Sequence, residues 1–115
     1  MGFAASQGRL QMLVGRKTDL ELKLQLIQQQ RMFWADVATK LVQAAARHPE
    51  GLEPGSQVAI QLEADRTRVA QIDKMLEMEA NRLENQRDAV TTEIEAVKKV
   101  ITKNIQQSFS LMGRA

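Results

Sequence analysis

Both prolines of this 115-residue chain, Pro49 and Pro54, fall inside one short stretch, "RHPEGLEPGSQ", residues 47–57, together with Gly51 and Gly55. Proline removes a backbone donor and clashes with the preceding helical turn, while glycine suits turns, so a helix should end near Arg47 or His48. Ser56 is suited to cap the next helix, because its hydroxyl can accept a bond from a free N–H of the first turn. Arg47 and His48 would then lie where the helix dipole favours positive charge, and His48 reads as an exposed terminal residue rather than a catalytic one. No other stretch breaks the helical pattern so decisively. The chain is therefore expected to form a single domain of two long helices, about 4–48 and 56–112, joined by a turn over 48–56.

The segment after the break repeats apolar residues every seventh position: Leu62, Val69, Leu76, Leu83, Val90 and Val97. Ile72, Ala80, Ile94 and Ile101 fill second positions of the same stripe. An average spacing of about 3.5 residues keeps one stripe facing a partner helix, which is the seam of a coiled coil. The first segment offers a matching seam of Leu13, Leu20, Leu24, Ile27, Trp34, Ala38, Leu41 and Ala45. Lys17 and Arg31 interrupt it, with stems long enough to cover the seam while their charges reach water. Two amphipathic helices with a short Pro/Gly turn fold back on each other, so the fold class predicted is all-α, an antiparallel helical hairpin.

One stretch argues superficially against this. "DLELKLQLIQQQ", residues 19–30, alternates leucine with polar residues, which is the period of a half-buried strand. At about 100° per residue, however, Leu24 and Ile27 fall within about 40° of Leu20, together with Leu13, Trp34 and Ala38. Leu22 and Leu26 fall roughly opposite, about 200° and 240° away, with Phe33 and Val37 beside them. The alternation is two helical stripes overlaid. One hairpin partner can cover one stripe, which leaves Leu22, Leu26, Phe33 and Val37 facing water. Helix 2 likewise carries Ile60, Met75, Met78 and Val100 away from its seam. Apolar patches of this kind mark interfaces, and two helices alone make a thin core, so association with further copies or another helical protein is expected.

Composition narrows the function classes. Cysteine is absent, histidine occurs once, and the aromatics are Phe3, Phe33, Trp34 and Phe109. Thiolate and multi-histidine metal sites are thereby excluded, as is a cysteine nucleophile. No phosphate-binding glycine loop, zinc-protease helix, calcium loop or serine-hydrolase elbow is present. The carboxylates Glu77, Glu79, Glu84, Asp88, Glu93 and Glu95 read as a solvated face exchanging contacts one turn apart with Arg82, Arg87, Lys98 and Lys99. Neither an enzyme nor a cofactor is expected. No run of about 18 uncharged apolar residues could cross a membrane, and the start lacks the pattern of a secretory signal. That start matches the bare N-myristoylation pattern through Gly2 and Ser6, but with bulky Phe3 next and no second anchor it reads as a helix start. The expected location is the cytoplasm, or outside by a route needing no cleavable signal peptide.

Charge is uneven. Residues 1–18 hold Arg9, Arg16 and Lys17 and no acid, and residues 96–115 hold Lys98, Lys99, Lys103 and Arg114 and no acid. All 14 acids lie between them. A hairpin brings the two chain ends together into a basic pole, which can meet the acidic shaft of another copy. Nucleic acid is a weaker expectation, because no aromatic stacking platform accompanies the basic residues. An anionic membrane is expected only by way of an assembly.

Two stretches resemble known proteins. In "EAVKKVITKNIQQSFSLMGRA", the residues Val97, Lys98, Val100, Ile101, Ile105 and Phe109 resemble the C-terminal helix of needle subunits from type III secretion and flagellar-like systems, given a gap of about one turn. The opening "AASQGRLQMLVGRKTDLE" is similar to a group of uncharacterised bacterial proteins with an AASQARLL-like start. The first resemblance implies a non-enzymatic subunit packing into a tube, needle or filament. The expected assembly interface joins the second stripe, Leu22, Leu26, Phe33 and Val37, to Ile105 and Phe109 of the resembling stretch. The rival expectation is a coiled-coil adaptor or stalk, similar to those of export machineries, acting as a monomer or dimer. A DNA-organising coiled coil ranks third.

Overall fold

The computed structural model describes residues 2–47, 53 and 55–114. They form two helices, α1 over Phe3–Arg47 and α2 over Gln57–Arg114, and no strand occurs among the described residues. The fold is all-α, an antiparallel helical hairpin. His48, Pro49, Gly51 and Pro54, on which the expected turn rested, lie outside the described residues. The entry into α2 is described. Gly55 has φ +86°, a left-handed backbone that a side chain would strain, and it turns the chain into the helix. The Ser56 hydroxyl accepts from the Ala59 N–H at 3.1 Å, and the Ser56 carbonyl accepts the first helical bond from the Ile60 N–H at 3.0 Å. This is the N-cap geometry that satisfies donors the first turn would otherwise leave free.

Threonine usually disfavours helix interiors. Here Thr18, Thr39, Thr67, Thr91 and Thr92 each donate a hydroxyl bond to the carbonyl four residues earlier, which satisfies the side chain without leaving the helix.

The chain divides into two compact units. The first joins Met1–Lys23 to Leu83–Ala115, and its seam is sealed: Leu13, Leu20, Leu83, Val90, Ile94 and Val97 are all buried. Ser6, one heptad before Leu13, is fully buried as well. A small residue there admits close approach, and its N–H donates to the Gly2 carbonyl at 2.9 Å. Arg9 of α1 reaches Glu93 of α2 at 3.7 Å.

The second unit, Leu24–Arg82, is looser. Leu24, Ile27 and Ala80 are buried. Trp34, Leu41, Leu62, Val69 and Leu76, expected in the seam with them, are only half-buried. The reason lies in side-chain size, since alanines at 35, 38, 44, 45, 59 and 70 leave the large residues without enough neighbouring volume to cover them. Arg31 crosses from α1 to Asp73 of α2, Nε to Oδ1 at 3.0 Å and Nη2 to Oδ2 at 3.4 Å.

Candidate interaction surface

On α1, Leu22, Leu26 and Phe33 are 55%, 58% and 60% exposed. They stand on the flank of the helix away from Leu20, Leu24 and Ile27, which are buried. Val37, expected with the exposed set, is half-buried. Its place on the wheel borders the Trp34 side of the seam, and that seam draws it partly in. Phe33 packs edge-on against Trp34 with ring centroids 5.3 Å apart, so one aromatic of the pair faces water while the other leans to the seam. On α2, Ile60, Met75 and Met78 are exposed.

Two open clefts lie within the second unit. One, of about 600 Å³, runs past Met32, Trp34, Ala38, Val42, Val69 and Ala70. The other, of about 770 Å³, is lined by Ala44, Ala45, Val58, Ile60 and Leu62, with Asp65 at its edge. They are the space that the alanines fail to fill.

At the chain ends of the first unit, Phe3 lines a cleft of about 270 Å³ with Ile105, Phe109 and Met112. Phe109 and Met112 are among the most exposed apolar residues described, at 72% and 75%. The basic residues expected at this pole divide into two groups. Arg9 pairs with Glu93, and Lys17 lies 4.0 Å from Glu21 one turn on. Arg16, Lys98, Lys99 and Lys103 have no ion-pair partner among the described residues.

On α2, Arg82 bonds Glu79 one turn back, as the spacing predicts, whereas Arg87 reaches its neighbour Asp88 at 3.4 Å and Glu93 serves α1 rather than a lysine of its own helix. Spacing within one helix cannot reveal the choice at Glu93, because the opposite helix competes for that carboxylate. The same holds for Arg31 and Asp73. Their contact holds the Asp73 carboxyl below its ordinary range and raises Arg31, each by the side-chain bond first. Ser6 was missed because a serine does not register in an apolar repeat; counting one heptad back from Leu13 finds it.

Among the described residues no group of three or more His, Cys, Asp or Glu is placed to hold a metal, and no helix is long and apolar enough to cross a membrane. No protein-family model matches the chain, and neither curated proteins nor solved structures yield a match.

Proposed function

We propose that this chain is a non-enzymatic structural subunit that self-assembles through helix–helix packing into a filament, tube or needle-like oligomer. The observation that carries the reading is the exposed apolar flank of α1, where Leu22, Leu26 and Phe33 stand more than half exposed in register with one another. Large apolar side chains repeated along one helix flank gain free energy only when a neighbour removes them from water, about 25 cal/mol per Å² covered. The resemblance of residues 97–109 to needle subunits supports the elongated, secretion-related form of the assembly.

Light scattering over a concentration series, with electron microscopy of the same samples, tests the reading. Ordered fibres, tubes or large oligomers are the expected result. A monodisperse monomer or dimer at the highest concentration would overturn it and favour the adaptor or stalk.

A further inference from the structure

On the flank of α1 turned away from the seam, the exposed residues Leu22, Leu26 and Phe33 are spaced four and then seven apart. The same spacing recurs on the same unbroken helix with the smallest side chains: Ala4, Gly8 and Gly15. Each small residue precedes a large one by 18 positions. At about 3.6 residues per turn that is five whole turns, so both sets share one flank, displaced along it by about 27 Å.

The small set is open. Ala4, Gly8 and Gly15 are exposed, and a Cβ added at either glycine would meet nothing within 4 Å. Neither glycine has the left-handed backbone that would require it. Glycine inside a helix lowers its stability relative to alanine, and within the hairpin nothing offsets that loss. Exposed Met12 and Val14 stand to either side of the glycines, so a small floor has apolar walls.

We propose that Leu22, Leu26 and Phe33 of one molecule seat on Ala4, Gly8 and Gly15 of a second copy, the two α1 helices parallel and staggered by 18 residues. The proposal rests on the self-assembly reading and names its contact. Large side chains facing small ones at three successive levels let the backbones come close while apolar surface leaves water. Between these levels Gln29 meets the second copy's Gln11, where two side-chain amides can pair. At the edge of the contact Lys40 comes beside the second copy's Glu21, so opposite charges meet.

Direction follows from the spacing. Read in reverse, four-then-seven becomes seven-then-four, so no antiparallel register seats all three large residues on the three small ones. Setting Leu22 on Gly15 leaves Leu26 against Gln11; setting Leu26 on Gly15 leaves Leu22 level with the Asp19 carboxylate. In the parallel stagger the surface that docks and the surface that receives are different, so the contact is heterologous and propagates from copy to copy. Stripes of this spacing cross at about 20°, so every second copy lies beside the first rather than on top of it.

Two experiments on the full-length chain test it. Gly15→Leu adds apolar surface at an exposed helical position, so helicity by circular dichroism should match the wild type. Light scattering should nevertheless show assembly weakened at least about tenfold, because the receiving floor is filled. Unchanged or stronger assembly would overturn the proposal. The chain has no cysteine, so introduced thiols report contacts without background. Gly8→Cys with Leu26→Cys in one chain should give, under a mild oxidant, a disulfide-linked ladder of three chains and more on non-reducing gels. Gly15→Cys with Leu22→Cys, or with Leu26→Cys, reports the two antiparallel registers and should link far less. If the wild type assembles but an antiparallel pair links as well as the staggered one, the docking proposal falls while self-assembly stands. A wild type that never assembles removes both.

Discussion

Arg31 of α1 grips Asp73 of α2 with two prongs of its guanidinium, the shorter at 3.0 Å, at a position where the heptad pattern calls for an apolar residue. A planar fork against a carboxylate holds direction as well as distance, so the pair pins the register of two helices that otherwise meet there through half-buried residues. The bond to Arg31 lowers the Asp73 pKa against burial, which acts in the other direction. A carboxyl lowered in the folded state contributes its stability above the ordinary pKa, about 4, and loses it as pH falls through the lowered value. Thermal unfolding of the wild type should therefore weaken on acidification below about pH 4 more steeply than that of Asp73→Asn. Parallel curves for the two proteins would show that the pair adds nothing. Both side chains are partly open to solvent, so the difference should shrink in high salt.

The unequal sealing of the seam makes a second prediction. Leu83 is 3% exposed, while Leu62 occupies the same heptad position and is half-buried. Leu83→Ala should cost about 2–5 kcal/mol, the range for a cavity in a packed core. Leu62→Ala should cost less than about 1.5 kcal/mol, because water already reaches the site. Urea unfolding of both variants decides this, and equal losses would mean that the second unit is as tightly packed as the first.

How far the sequence foretells this fold follows from such pairs of residues. The break at residues 47–57, the capping Ser56 and the two stripes within "DLELKLQLIQQQ" are local patterns, and local patterns are what a helix obeys. Leu62 and Leu83 look alike in a repeat. Their difference depends on how much side-chain volume the opposite helix brings, and that requires the register. The register rests in part on Arg9–Glu93 and Arg31–Asp73, contacts between residues far apart in the chain that no one-helix periodicity encodes.

Ser6 offers a test at the chain ends. Its hydroxyl is fully buried with no hydrogen-bond partner among the described residues. Ser6→Ala keeps the small volume and removes the unsatisfied group, so it should raise stability by about 1 kcal/mol. Ser6→Leu should lower it by about 1–3 kcal/mol, because a larger side chain has no room there. Differential scanning calorimetry of both variants reads the two signs; a stabilising leucine would show that the helices are not closely apposed at this point.

Helix α1 also carries glycines at 8 and 15, and a methyl group added at either would meet nothing within 4 Å. Neither has the left-handed backbone that demands glycine. Gly8→Ala and Gly15→Ala should each stabilise the hairpin by about 0.5–1 kcal/mol through lower helix-forming entropy cost. Loss of stability, measured by urea unfolding, would mean that these positions touch a neighbour in solution.

The alternating leucines permit the sharpest comparison, because three neighbours of one residue type are put in different surroundings by one helix. Leu24 is 7% exposed, while Leu22 and Leu26 stand 55% and 58% exposed on either side of it. Lysine is a good helix former, so Leu22→Lys or Leu26→Lys should leave the circular dichroism spectrum unchanged. Assembly should nevertheless weaken at least about tenfold, since each variant forfeits an apolar contact worth about 1.5–3 kcal/mol and sets a charge in its place. Leu24→Lys should do the opposite, costing the hairpin several kcal/mol by forcing an ammonium group into the seam. Light scattering and circular dichroism on the three variants separate the roles. If helicity collapses in Leu22→Lys as it does in Leu24→Lys, both leucines belong to the hairpin, and the second stripe is not an assembly surface.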